Sequence, residues 1–383
     1  MRGARQLLTL RGSTGIRRGA ALNDLGVIED GSVLIRDGVI SAIGPTRRIE
    51  NLSEARGALE IRAHGRVVMP GLIDSGMRLL VAEPDAKPKS ISVAKTLQEA
   101  ATVLRQSLYY GTTRAEIQAG AMPENEIRTL RHASKIRRLR EEIVCTWLMR
   151  PLEGTDSGER AALREQNFQQ AMKKKYARFV DLDIVPSQWP QASLLLKMIA
   201  QYGFRRKLTW RGAADGNLAV MIQRFGIRTV SQIQSLSEQW AIELARLPFL
   251  LFLSPGTECL EGDSSLLKVR AFISSGGGIV LGSGYDPVKS PVINVQSAIA
   301  LAVFRMGLTP EEAISAATIN AAYSAGCGSS AGSLEIGKAA DLLMLNLSDY
   351  RDLPRHFGMN HTGMIIRGGN VVFNRTGMKV ATA

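Results

Sequence analysis

The sequence predicts an α/β protein: a (β/α)8 barrel of the TIM type, with a small β domain built from the two chain ends. Three observations predict it. Strand-like and helix-like segments alternate from Pro70 to Leu281, the pattern of a parallel α/β fold. Hairpin chemistry precedes that stretch, and strand patterning returns after Ser333. Each end alone offers too few strands to bury an apolar face, so the two ends are expected to share one sheet.

The elements follow in order. Gly31 to Arg36 and Val39 to Ile43 flank Asp37-Gly38, a two-residue hairpin signal. Arg66 to Arg78 reads RVVMPGLIDSGMR, a turn feeding a short buried strand. Helices are expected over Leu97–Leu108, Glu124–Arg140, Arg160–Lys175 and Gln191–Tyr202. Strands are expected over Thr113–Ile117, Ile143–Leu148, Phe179–Val185 and Lys207–Trp210, then Val230–Ile233, Phe249–Leu253 and Gly278–Leu281. Thr309-Pro310-Glu311-Glu312 is a helix start, with Thr309 as N-cap, Pro310 in the first turn and Glu312 closing a capping box. Leu342–Leu345 and Met364–Val372 are strands again. The expected division is a β domain of residues 1–68 and 333–383 and a barrel of residues 69–332.

Composition narrows the function classes. The chain has 383 residues, 45% of them hydrophobic, which suffices for a large core. The longest apolar run, Leu247 to Leu253, contains Pro248 and is strand-length, so no membrane span is expected. Gln6 to Leu10 is too short for a signal-peptide core, and a cytoplasmic location is expected. Cys145, Cys259 and Cys327 are far apart and form no C-x-x-C, against a disulfide framework or a zinc knuckle. The net charge of +13 raises the question of a polyanionic partner. The densest basic run, Arg128 to Arg140, carries Leu130, Ala133, Ile136 and Leu139 at helical spacing, so its charges form a solvated face. Neither it nor Lys173-Lys174-Lys175 is interleaved with aromatics, so nucleic acid is not the expected partner.

Several segments resemble the amidohydrolase superfamily, and imidazolonepropionases within it. PGLIDSGMR is similar to that superfamily's PGLID-x-H-x-H. GVIEDGSVLIRDGVISAIGP resembles the opening of imidazolonepropionases. GLTPEEAISAATINAAYSAG, GSLEIGKAADLLMLNLSDYRDLPRHFGMNH and IIRGGNVV resemble their C-terminal third. The resemblance implies a distorted barrel with a composite β-sandwich, a homodimer, a mononuclear metal and hydrolytic opening of a small cyclic amide.

The metal would be held by imidazoles, and a carboxylate on the eighth barrel strand would take the proton from a bound water. Position by position, those residues are replaced. The H-x-H pair of strand 1 is Gly76 and Arg78. On strand 5 the family's K-L-H-A faces Lys207-Leu208-Thr209-Trp210-Arg211, with Trp210 or Arg211 in the histidine's place. Gln232 replaces the strand-6 histidine and Gly284 the strand-8 aspartate. The strand-3 histidine falls near Arg150, the strand-4 glutamate at Val185, and the Ala82–Ser92 loop is short beside the family's. His64, His132, His356 and His361 show no metal-ligand spacing. The sequence therefore predicts no metal, no cofactor and no metal-dependent hydrolysis.

Asp286 is a weak candidate for a displaced catalytic base. Arg78, Arg150, Arg211 and Gln232 are candidates for binding a small anionic ligand, because the guanidinium fork suits carboxylate or phosphate. The alternative for these arginines is internal pairing with Asp183 or Asp286. Three readings follow. The first is a non-hydrolytic pseudoenzyme that binds a ligand or partner. The second is a hydrolase of cyclic amides with a rebuilt, metal-independent site. The third is a basic protein that binds nucleic acid through the Arg128–Arg140 helix.

Overall fold

Among the described residues the chain forms fifteen strands, with helices between the central ones. Four come first: β1 (Ala4–Leu8), β2 (Val27–Arg36), β3 (Val39–Pro45) and β4 (Val67–Pro70). Eight follow as β5 (Leu72–Val81), β6 (Thr112–Ala121), β7 (Ile143–Met149), β8 (Phe179–Ile184), β9 (Arg205–Ala213), β10 (Thr229–Ser235), β11 (Leu250–Leu253) and β12 (Gly278–Leu281). Three close the chain: β13 (Leu342–Leu345), β14 (Thr362–Arg367) and β15 (Asn370–Asn374). The computed structural model describes residues 1–12, 15–81, 93–121, 123–139, 142–151, 158–261, 269–287 and 290–377. The shortened loop read at Ala82–Ser92 lies outside the described residues.

The chain divides into two compact units, Met1–Asp74 with Gln106–Arg114 and Asn294–Ala383, and Ser75–Arg105 with Ala115–Ile293. The first is built on a seven-stranded sheet in the order β15-β14-β13-β4-β1-β2-β3. Both chain ends enter it, because β4 pairs with β1 on one side and β13 on the other. Leu7, Ile40, Val68, Leu342 and Ile366 share its aliphatic core. The β2–β3 hairpin turns at Asp37 and Gly38 with φ of 51° and 79°, the two left-handed residues of the predicted turn. The helix Pro310–Ala317 starts as predicted. Thr309 Oγ1 accepts the Glu312 N–H at 3.1 Å, and Glu312 Oε2 accepts the Thr309 N–H at 2.9 Å.

The second unit carries the parallel sheet β12-β11-β10-β9-β8-β7-β6-β5, with helices between successive strands. The Arg78 N–H on β5 donates to Tyr285 O at 2.7 Å, tying the first strand to the segment after the last. This is a TIM-like (β/α)8 barrel, and with the terminal sheet it gives the predicted fold class. Outside the barrel wall, Trp147 packs on Phe168 with ring centroids 4.9 Å apart, and Phe168 stacks on Tyr202 at 5.2 Å. Strand alternation therefore sends Thr146 to the lumen side of β7 and Trp147 to the helix side.

Candidate functional site

The same alternation aims Glu116 and Gln118 of β6, Asp181 and Asp183 of β8, and Lys207, Thr209 and Arg211 of β9 into the lumen. These residues form three polar groups. In the first, Lys207 Nζ donates to Glu116 Oε2 at 2.5 Å, and Thr146 Oγ1 donates to Glu116 Oε1 at 2.6 Å. The Lys207 ammonium also lies 4.8 Å from the Phe179 ring centroid, a cation–π contact. Both members of this ion pair are buried.

The second group is a chain of hydrogen bonds. Arg78 Nε donates to Gln118 Oε1 at 3.1 Å, and Gln118 Nε2 donates to Asp181 Oδ2 at 2.9 Å. Thr209 Oγ1 donates to Asp181 Oδ1 at 3.0 Å and lies 2.9 Å from Ser231 Oγ. Thr209 has one hydroxyl proton, so Ser231 is the donor in the second contact. Burial raises the Asp181 carboxyl to about 6, although Lys207 and Arg78 pull it down.

The third group is Asp183 held between two guanidiniums. Arg211 Nε and Nη2 donate to its two oxygens at 2.5 and 2.7 Å, and Arg150 Nε donates at 3.0 Å. Burial pushes Asp183 up, but the arginines outweigh it and hold the carboxyl below its ordinary value.

A cavity of about 30 Å³ lies among Arg78, Gln118, Asp181, Gln232, Phe252 and Asp286, room for one or two water molecules. Arg78, Gln232 and Asp286 thus come together, with Arg78 Nη1 3.9 Å from Asp286 Oδ2. Arg150 and Arg211 do not line the cavity. They pair with Asp183, the internal pairing that was the alternative for them. Gln232 has φ of 57° where the β9–β10 register shifts, a backbone outlier that re-aims its side chain at the cavity.

Of the two residues offered for the strand-5 histidine, Trp210 faces away from the lumen, and its indole N–H donates to Ala213 O at 2.8 Å. Counted from Lys207-Leu208, the family's K-L-H-A puts the histidine at Thr209, which does face the lumen. Asp181 was missed as well. Its signal was the pair of carboxylates two residues apart in the apolar run Phe179–Ile184.

The metal that the resemblance implies does not fit these residues. Among the described residues, no group of three or more His, Cys, Asp or Glu side chains could hold a metal ion. Two positions that the resemblance assigns to ligands are tight for a side chain. Gly76 has φ of 94°, and a Cβ there would lie 3.0 Å from the Phe252 ring. Gly284 has φ of 60°, and a Cβ there would lie 2.3 Å from Ser254 Cβ. Arg78, where the resemblance expects a histidine, adds a positive charge beside the cavity.

Comparison with known proteins agrees with the fold. The amidohydrolase family pattern matches residues 263–372. The imidazolonepropionase of Solibacter usitatus is 29% identical over 97% of this chain and 98% of its own. That of Geobacillus kaustophilus is 28% identical over 98% and 97%. Among solved structures, E. coli guanine deaminase superposes with a TM-score of 0.70 at 17% identity, covering 98% of each chain. A triazine hydrolase from Arthrobacter aurescens gives 0.70 at 17%, covering 100% of this chain and 96% of its own. The chain is therefore an imidazolonepropionase-like member of the amidohydrolase superfamily.

Proposed function

We propose that this chain has lost its metal site and acts as a non-hydrolytic binding protein, taking a small anion at Arg78 in the barrel. The backbone at Gly76 and Gly284 carries the reading. Both take positive φ, and a Cβ on Gly284 would overlap Ser254 while one on Gly76 would crowd the Phe252 ring, which supports closure of the positions that the resemblance assigns to ligands. The lumen carboxylates are engaged as well, Glu116 by Lys207 and Asp183 by Arg150 and Arg211. Arg78 Nη2 has no hydrogen-bond partner among the described residues and borders the cavity with Gln232. A carboxylate or phosphate oxygen entering the cavity would meet a fixed guanidinium. Three free thiols support a reducing, cytoplasmic location.

A second reading has one observation in its favour. Asp181, raised to about 6, borders the cavity beside Arg78, and a carboxyl poised near neutrality suits general acid–base work without a metal. The experiment that separates the two is a thermal-shift screen of small dicarboxylates and inorganic phosphate, with elemental analysis and an imidazolonepropionase assay on the same protein. The binding reading expects stabilisation by an anion that is lost in Arg78→Ala, no stoichiometric metal and no turnover. One equivalent of zinc, iron or manganese surviving dialysis overturns the metal-loss claim. Turnover abolished by Asp181→Asn or Asp286→Ala establishes the second reading instead.

A further inference from the structure

The segments that enter β8, β9, β10 and β11, residues 173–178, 202–205, 226–228 and 246–249, carry three lysines and four arginines and no acidic residue. Lys173, Lys174, Lys175 and Arg178 lead into β8, and Arg205 opens β9. Arg228 immediately precedes β10, and Arg246 begins the turn before β11. In a (β/α)8 barrel these loops all lie at the N-terminal face, away from the mouth where βα loops gather. All seven side chains are exposed. None forms an ion pair among the described residues.

The cluster is a product of topology rather than a run in the sequence. Arg178, Arg205 and Arg228 are more than twenty residues apart in sequence, yet they stand at the starts of three adjacent parallel strands. Neighbouring strands lie about 4.8 Å apart, so the three starts span roughly 10 Å. Burial, and then repulsion from Arg178 and Arg228, hold the Arg205 guanidinium below its ordinary value. Like charges held together without acids to offset them are the footprint of an anionic partner. The large apolar side chains of the same loops, Tyr176, Phe204, Leu247 and Phe249, are buried. They offer nothing to insert into a membrane and no exposed ring on which a base could stack.

We infer that the N-terminal face of the barrel binds a nucleic-acid backbone through this cluster, by charge and independently of sequence. Arginine forks and lysine points on one face are the chemistry of phosphate contact. The surface is separate from the barrel lumen, so the inference stands or falls apart from the anion site proposed there.

The test is fluorescence anisotropy of the full chain with a labelled duplex and a labelled oligothymidine, each of about 20 units, at about 50 and 200 mM salt. With about five phosphates neutralised, duplex affinity falls several hundredfold across that range. Arg178→Ala/Arg205→Ala/Arg228→Ala flattens the logarithmic salt slope by about 2.7. Lys173→Gln/Lys174→Gln/Lys175→Gln flattens it similarly and serves where the arginine variant does not fold. Arg128→Ala/Arg131→Ala/Lys135→Ala, on the helix Pro123–Leu139, keeps the original slope. No binding at the lower salt overturns the inference, as does a slope unchanged in the folded cluster variants. Binding to phosphatidylserine–phosphatidylcholine vesicles but to neither oligonucleotide also overturns it.

Discussion

In the terminal sheet the core cluster is aliphatic: Leu7, Val68, Leu342 and Ile366. In the barrel lumen they are Glu116, Lys207, Asp181 and Asp183, with Arg78 beside them. The first region is held by burial of hydrocarbon, which is indifferent to chemistry. The second is held by ion pairs and shared protons, each of which depends on its partner. A family fold can therefore persist in its apolar regions while its polar centre is rebuilt residue by residue, since fold and site answer to different forces. If that is right, the lumen should be fragile to removal of single partners yet tolerant of concerted apolar replacement.

Glu116→Ala gives the largest expected effect. It strands the Lys207 ammonium at 6% side-chain exposure, and breaking a buried pair from one side costs about 3–5 kcal/mol. The double variant Glu116→Leu/Lys207→Met should recover all of that loss or exceed wild-type stability by up to about 4 kcal/mol. Urea unfolding of the three proteins measures this. A double variant as unstable as the single one would show that the ion pair is indispensable to the barrel.

Gly284→Asp is the next largest. It puts a carboxylate where the resemblance expects one, at a position with φ of 60° and a Cβ contact of 2.3 Å to Ser254. Left-handed strain and overpacking together cost roughly 2–4 kcal/mol. The variant should be less stable and should acquire no metal on incubation with zinc, followed by calorimetry. Tight zinc binding by Gly284→Asp would mean that the backbone at this strand end opens readily.

The regions also differ in how far they could be read in advance. The Asp37-Gly38 hairpin and the Thr309 capping box were legible because each is set by neighbours within four residues. The sheet that joins both ends followed from counting strands. The lumen was only partly legible. Departures from a family motif can be counted in a sequence, but what the residues found there do depends on which side of a strand each one faces. A shift of one residue along β9 exchanges lumen-facing Thr209 for outward-facing Trp210. The pairing of Arg150 and Arg211 with Asp183 joins three strands through residues 28 and 33 positions apart. No local pattern specifies that choice over an open pocket. Nor does any local pattern reveal the basic cluster at the strand starts, which only the barrel's register brings together.

The smallest effect is the most informative about the lumen, because pH can switch it. Burial raises Asp181 to about 6, from an ordinary value of 3.8. Below about pH 4 the group is protonated in both folded and unfolded chains and contributes no pH dependence. Between about pH 4 and 6 the folded chain keeps a proton that the unfolded chain has lost, so this group's contribution to stability falls as pH rises. Above about pH 6 the folded chain carries an ionised buried carboxylate, and the accumulated loss is roughly 2–3 kcal/mol. Asp181→Asn keeps the shape and removes the titration. Its amide oxygen can accept from Gln118, and its amide nitrogen can donate to Thr209, whose proton then turns to Ser231. The variant should match the wild type near pH 4 and exceed it by roughly 2–3 kcal/mol at pH 7 in paired urea titrations. Equal stability of the two proteins at both pH values would mean that Asp181 is solvated by water reaching the cavity, and that the lumen is wetter and more open to ligands than its ion pairs suggest.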